Sequence, residues 1–471
     1  MGRIDRGRAT VVLLALGALV GCTAAPSSSV ATSSSAAGGS PPTGSGVAAA
    51  TATARPAMIA ELAPGTYADI VTDDLVLRSE PGTSAESEIY PDRLNAPTSV
   101  YVAEGPVEAD GFAWFLVVGF GDDGTEPALI GWAAAAGKDG EVWLEPIEHA
   151  NDEWSLLDTG DAPAGLSPRS SAMGPDGQVY FFGSHALADE PDGHAWAYDP
   201  TDGAWRELAP MPTPRTRPMV AATEDGLFYV IGGSPGGSIF SEDTSIVEVY
   251  DAETNRWTGA APAPVAPDFF GDGVAMADGA GRIRVFASDV VLVYDPGTSA
   301  WETEPGNRNT FWDAAMGSGS ELYLLDYGGA VQPYDPAAGF GEATEVRAIW
   351  RYGAAMATGT DGRLLVIGGS VQPGLGATCT GFRGGAPGSI SLVEALDPAT
   401  GAWTTMAPVP MALEDPAAFE TADGILVVGL SVDSGPTRGE MVAARLVLAS
   451  PTADPELAST DQETAPSGCG S

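Results

Sequence analysis

Tyr-Asp with a tryptophan seven positions after the tyrosine occurs three times, in AWAYDPTDGAW (Ala195 to Trp205), VEVYDAETNRW (Val247 to Trp257) and VLVYDPGTSAW, which ends at Trp301. Two looser copies follow. In VQPYDPAAGF, Phe340 comes six residues after Tyr334, and in VEALDPATGAW, Leu396 takes the tyrosine place before Trp403. Trp154, in NDEWSLLDTG, has similar residues after it but no Tyr-Asp before it. Such self-similarity constrains the fold more than any other feature, because a short unit buries its apolar face only against its neighbours. The aromatic endpoints at 154, 205, 257, 301, 340 and 403 give intervals of 51, 52, 44, 39 and 63 residues.

Before each Tyr-Asp lies an apolar run ending in glycine or small residues, such as QVYFFGS, LFYVIGGS and RLLVIGGS. Before those runs lie small-residue stretches such as MVAATEDG and GAAMATGTDG. One unit therefore reads as four short antiparallel strands, and this combination resembles a kelch-type propeller blade over residues 152–448. The resemblance implies an all-β propeller in which Gly-Gly permits a sharp turn, the aspartate caps the following turn, and tyrosine and tryptophan wedge between blades. Six endpoints predict six blades, and a seventh endpoint is missing. The last unit has three strands and no tryptophan strand, so Trp154 is expected to supply it and close the ring. The third and fourth units lack the full signature, and the fifth carries the 19-residue insertion VQPGLGATCTGFRGGAPGS.

The rest of the chain divides by composition. Residues 1–21 carry Arg3, Arg6 and Arg8 and then an apolar run too short to span a bilayer. The run ends in LVGC, which resembles the lipobox of bacterial lipoproteins and implies lipid attachment at Cys22. Residues 22–57 are Ala, Ser, Pro and Gly without periodicity, a tether spanning about 30 Å as a relaxed coil. Residues 58–150 read as short β-runs with no helical period. Leu77, Arg78, Pro81, Gly82, Trp114 and Gly131-Trp132 there resemble a bacterial SH3-type barrel, a family that often binds peptides or cell-wall material. This stretch has three bases against eighteen acids, which disfavours an anionic wall polymer. Residues 151–450 are the propeller and 451–471 a polar tail. Outside the cell the leftover thiols Cys379 and Cys469 are expected to pair.

The net charge of −42, with Lys138 the single lysine, argues against nucleic acid and against membrane contact other than through the lipid. Among enzymes of this architecture, copper radical oxidases need histidine, tyrosine and cysteine together. The three histidines here are His149, His185 and His194, and His185 and His194 flank an acidic loop expected to be solvated. No CxxC, HExxH or Walker pattern occurs, so neither metal nor other cofactor is implied. Near the starts of the innermost strands stand Arg169, Arg217, Asp272, Asp313, Arg351, Glu414 and Asp415. A mixed-sign ring of this kind at a channel mouth suits a ligand site, and a kelch-type sugar epimerase or lyase would use it on an acidic sugar. The same residues also suit salt bridges bracing the blades, and no histidine is placed beside the arginines as a general base. The reading is an anchored extracytoplasmic protein that recognises a protein or carbohydrate at the cell envelope, with catalysis as the alternative.

Overall fold

The computed structural model describes residues 62–448, apart from 86, 97, 120–128, 148–151, 186–190, 192, 236–243, 266–272, 288, 308–309, 311, 319–320, 327–328, 345–350, 352, 371–388 and 433–438. The lipid-attachment candidate Cys22, the thiols Cys379 and Cys469, and the ring candidate Asp272 lie outside the described residues. The described strands form one seven-stranded sheet followed by six four-stranded sheets. In each of the six, the second strand is buried on both faces, as in Val179–Phe182, Ile283–Ala287 and Leu364–Ile367. Continuous Val, Ile, Leu and Phe suit a strand covered on both sides, and the small-residue first strands let six sheets converge. The first strands Ser171–Met173, Met219–Ala222, Val274–Ala277, Trp312–Ser318, Ala355–Thr358 and Leu413–Thr421 pack side by side in a complete circuit, the last against the first. The fold is a six-bladed β-propeller.

The repeat spacing now has a geometric cause. Tyr198 lies opposite Trp205, Tyr250 opposite Trp257 and Tyr294 opposite Trp301 in the register of the two outer strands. Seven residues are therefore what a hairpin needs to bring the two rings together, 4.9 to 5.2 Å apart between centroids. Tyr334 meets Phe340 in the same way across a hairpin one residue shorter, so the fourth blade is complete despite its weaker signature. The aspartate of each motif turns the chain: Asp199, Asp251, Asp295, Asp335 and Asp397 each accept the backbone amide two residues on, at 2.7 to 2.9 Å. Gly-Gly answers a close approach. Gly233 has φ of 81°, and a Cβ there would stand 2.7 Å from the Thr216 carbonyl oxygen.

Trp205, Trp257 and Trp301 also reach the preceding blade. The indole Nε1–H of Trp205 donates to the Thr159 carbonyl at 2.7 Å, that of Trp257 to Ala209 at 2.7 Å, and that of Trp301 to Ala261 at 2.9 Å. Every acceptor lies just after the outer strand of the preceding blade, so the ring packs as a wedge while its N–H ties the neighbour. Trp154 obeys the same rule. Its strand, Glu153–Leu157, pairs antiparallel with Met441–Val447 as the fourth strand of blade six, and Nε1–H donates to Ala407 of blade five at 2.8 Å. The orphan tryptophan is the closing strand.

Two buried ion pairs stiffen blades two and five. Arg215 pairs with Glu248 at 2.5 Å and donates to the Val230 carbonyl at 3.0 Å. Arg351 pairs with Glu394 at 3.0 Å and donates to the Val366 carbonyl at 3.3 Å. In blade five the amino-terminal sheet joins this pair. The hydroxyl of Tyr67 donates to Glu394 at 3.2 Å, and the Tyr101 hydroxyl accepts the Ser391 amide at 3.3 Å. Tyr67, Tyr101 and Val118 pack with Ile390 and Leu392 in one buried cluster, and any side chain at Gly65 would run into Ser391 and Pro408. The seven-stranded sheet has its own apolar core around Phe115, Val117 and Leu144.

Replacing Trp154 with phenylalanine keeps the wedge and deletes the bond to Ala407. It is expected to lower unfolding free energy by about 1 kcal/mol in denaturant titrations. Removing residues 152–158 altogether should unfold the propeller in one cooperative step, and a melting temperature equal to the parent's would contradict closure by this strand.

Candidate functional site

The ends of the first strands surround a cavity of about 390 Å³ at the mouth of the central channel. Its wall is mostly small and apolar, from residues such as Ala275, Ala315, Ala354 and Ala418, and its charged groups are Arg169, His185, Arg217, Asp313, Glu414 and Asp415. Five of the ring candidates read from the sequence therefore meet here: Arg169, Arg217, Asp313, Glu414 and Asp415.

Arg351 does not join them. It is 2 % exposed and committed to Glu394 inside blade five. Comparison of the repeats explains the displacement. Arg351 matches Arg215, since each donates to the carbonyl fifteen residues further along and pairs with a glutamate of the third strand. The mouth position lies two residues later, where blade two has Arg217 and blade five has Gly353. Both adopt positive φ, 48° and 70°, as does Asp415 in blade six at 50°. A left-handed backbone is costly for arginine and aspartate, so two strained residues stand at the cavity.

Arg169 spans the channel. It precedes the first strand of blade one, yet its Nη2 donates to the backbone oxygen of Asp313 in blade four at 2.7 Å, with Nη1 3.5 Å from the carboxylate. Blades one and four are diametrically opposed in a ring of six. The Asp313 side chain has no exposure and also accepts the Gly353 amide at 2.7 Å. Burial pushes its carboxyl up to about 6, against the opposing pull of Arg169 and the Gly353 and Ala354 amides. This strut runs across the channel rather than between neighbouring blades.

His185 is the residue that sequence reasoning placed wrongly. Instead of sitting in a solvated loop, its side chain is 13 % exposed and bonds Asp415 of blade six through Nε2 at 3.1 Å. That bond raises the imidazole above its ordinary range, with Asp415 and Glu414 charge adding and burial and Arg217 opposing. Burial alone would raise Asp415, but the His185 bond and the charges of Arg169, His185 and Arg217 outweigh it and hold the carboxyl low. The stabilisation from His185 is present below its ordinary pKa and fades as pH rises through the raised value. That from Asp415 is present above 3.8 and fades as pH falls through the lowered one. A histidine thus does stand beside the arginines. The small-residue turn FFGS before it, which matches VIGGS in blade two, places position 185 beside the mouth and was the available signal. His194, by contrast, is 55 % exposed and 3.9 Å from Glu207. Among the described residues no group of three or more His, Cys, Asp or Glu could hold a metal ion.

Comparison with known proteins agrees with this architecture. Residues 215–264 match the kelch motif. The match falls on blade two of the propeller. Similar curated proteins include an F-box/kelch-repeat protein of Arabidopsis thaliana, 30 % identical over 142 residues that cover 27 % of this chain and 37 % of that one. Kelch-like protein 25 of Xenopus tropicalis is 26 % identical over 197 residues, covering 38 % and 31 %. Kelch repeat and BTB domain-containing protein 8 of Xenopus tropicalis is 37 % identical over 146 residues, covering 30 % and 23 %. The chain thus spans well under half of these relatives. The solved structure of YjhT is 16 % identical with a TM-score of 0.47, over 62 % of this chain and 97 % of that one.

Between pH 4.5 and 7 the buried Asp313 must ionise in the folded protein. Its raised pKa means that the fold holds a proton the unfolded chain has released, so stability falls as pH climbs from 3.8 past about 6. Asp313→Asn removes that penalty. The stability of the variant minus that of the parent should grow over this range by up to roughly 3 kcal/mol in paired denaturant titrations, and a constant difference would count against the raised pKa.

Proposed function

We propose that this chain is an extracytoplasmic recognition protein, held at the membrane by lipid on Cys22, that presents the mouth of its kelch propeller to a protein ligand at the cell envelope. The observation that carries the reading is the mouth itself, a cavity of about 390 Å³ ringed by charged side chains of blades one, two, four and six, with two of those residues in strained backbone. Six converging strand ends make a rigid frame, and strain held by such a frame is characteristic of ligand sites. Secretion rests on the arginine-flanked apolar leader and LVGC, and a solubilising surface of −42 suits that setting. The amino-terminal sheet, read as an SH3-type module, is joined to blade five through Tyr67 and Glu394. An epimerase or lyase acting on an acidic sugar has less support. Of the two arginines at the cavity Arg169 is engaged by Asp313, and Glu414 and Asp415 would repel an acidic substrate.

Two measurements test the reading. Cys22→Ala should release the protein from membranes into the medium, because a single lipid anchor is lost; retention in the membrane fraction would sink the anchored reading. A photo-crosslinking residue at Met219, in the mouth, should yield covalent partners on intact cells, whereas one at Leu156 on the outer strand of blade six should not. Adducts from Leu156 alone would move the recognition surface away from the mouth.

A further inference from the structure

The charged side chains at the mouth differ in how far they are committed. Arg169 is tied to Asp313 across the channel and His185 to Asp415 between blades one and six. Arg217 is engaged as well, and its charge acts on both His185 and Asp415. Glu414 is different. Its carboxylate lines the cavity and its charge reaches His185, yet it makes no hydrogen bond or ion pair with any described residue. Two more polar atoms on cavity-lining residues lack a hydrogen bond among the described residues. One is the hydroxyl of Ser167, a residue 2 % exposed, and the other is Oδ1 of Asp313. Apart from its alanines the lining also includes Ser170, Ser171, Pro218, Pro416 and Phe419. The two prolines follow Arg217 and Asp415 directly, so no backbone N–H is offered at either place. The Ser171 hydroxyl donates to the Pro168 carbonyl and the Gly353 amide to Asp313.

Glu414, Ser167 and Asp313 thus leave acceptor capacity at the mouth unfilled, and a ligand that brings donors answers it. An anion would meet Glu414 as a like charge, and a neutral group would desolvate that carboxylate without pairing it. A cation pairs it. The net charge of −42 attracts cations to the protein at long range and holds anions off. The cations of the wall do not forbid this, because Arg169 and His185 each sit beside an acid and Arg217 has an interaction of its own. Arginine suits the site best. Its guanidinium carries five N–H donors and no acceptor, in a plane that can meet several oxygens at once. Its methylene stem suits the small side chains of Ala275, Ala315 and Ala354.

We infer that the propeller mouth receives an arginine side chain of the protein ligand, its guanidinium paired with Glu414 and hydrogen-bonded to the Ser167 hydroxyl. The inference rests on the reading of the mouth as a site of protein recognition and names the chemistry recognised there.

Titration calorimetry on the whole chain tests this with peptides of the form N-acetyl-Ala-X-Ala-amide, where X is arginine, lysine, citrulline or glutamate. The arginine peptide should bind about tenfold more tightly than the citrulline peptide, which keeps the shape and lacks the charge. Lysine should fall between them, and glutamate should not bind. Glu414→Gln should erase the preference for arginine at an unchanged melting temperature, because the carboxylate braces nothing. Glu153→Gln, at an exposed position on the outer strand of blade six, changes net charge equally and should leave binding alone. Ser167→Ala should weaken arginine binding severalfold without lowering the melting temperature, since a buried hydroxyl that lacks a partner adds no stability. Equal affinity for arginine and citrulline, or equal losses from Glu153→Gln and Glu414→Gln, would overturn the inference. A lowered melting temperature for Glu414→Gln would overturn it too, by making that residue a brace. If the arginine preference is absent while crosslinks form from Met219, protein recognition at the mouth stands and the ligand chemistry is wrong. If arginine binds and Met219 gives no crosslinks, the cation site stands and the protein partner does not.

Discussion

The indole N–H that reaches from one blade to the carbonyl behind its neighbour is the contact on which the ring depends. A four-stranded blade has two apolar faces and cannot be stable alone. The tryptophan solves two problems with one side chain: its ring fills the wedge that opens as blades splay outward, and its donor satisfies a carbonyl on the adjacent sheet. Because Trp154 makes the same bond as Trp205, Trp257 and Trp301, closure is the same interaction used once more, with the two ends of the propeller as its partners. Phe340 shows what is lost where the donor is missing. Blade four keeps a ring contact, stacked on Trp312 at 5.5 Å, and among the described residues no indole there ties it to blade three.

Closing the ring fixes the mouth. The first strands end in a circle whose side chains have nowhere to go except inward, so groups distant in sequence become neighbours. Arg169 and Asp313 are 144 residues apart, and His185 and Asp415 are 230 apart. The two pairs work differently. The strut from Arg169 to Asp313 holds a buried carboxyl at energetic cost, whereas His185 and Asp415 stabilise each other's charged forms. The mouth therefore brings Arg169, His185 and Arg217 together with Asp313, Glu414 and Asp415.

The repeat told most of the architecture in advance, because the hairpin register that sets Tyr opposite Trp is local and leaves a fixed interval in the chain. The count of blades, the role of the aspartate and the closing strand all follow from it. What the repeat did not convey was depth. Arg351 and Arg217 look alike in a sequence, yet a shift of two residues separates a brace inside blade five from a side chain at the mouth. Aligning RTRP with RYGA on their glutamate partners would have revealed the offset. His185 was missed because an acidic loop around it suggested solvent, while its actual partner, Asp415, belongs to another blade. The docking of Tyr67 and Tyr101 on blade five had no signal at all, since nothing periodic marks a contact between two different folds.

Native-state hydrogen exchange of the strand Glu153–Leu157 tests the central claim most directly. If this strand completes blade six, the amides of Glu153–Leu157 that pair with Met441–Val447 should exchange only by global unfolding, with the same denaturant dependence as Leu426 and Val427 in the middle of that sheet. Exchange by local fraying, orders of magnitude faster than in the core strands, would mean that the propeller is an open ring and that its stability comes from elsewhere.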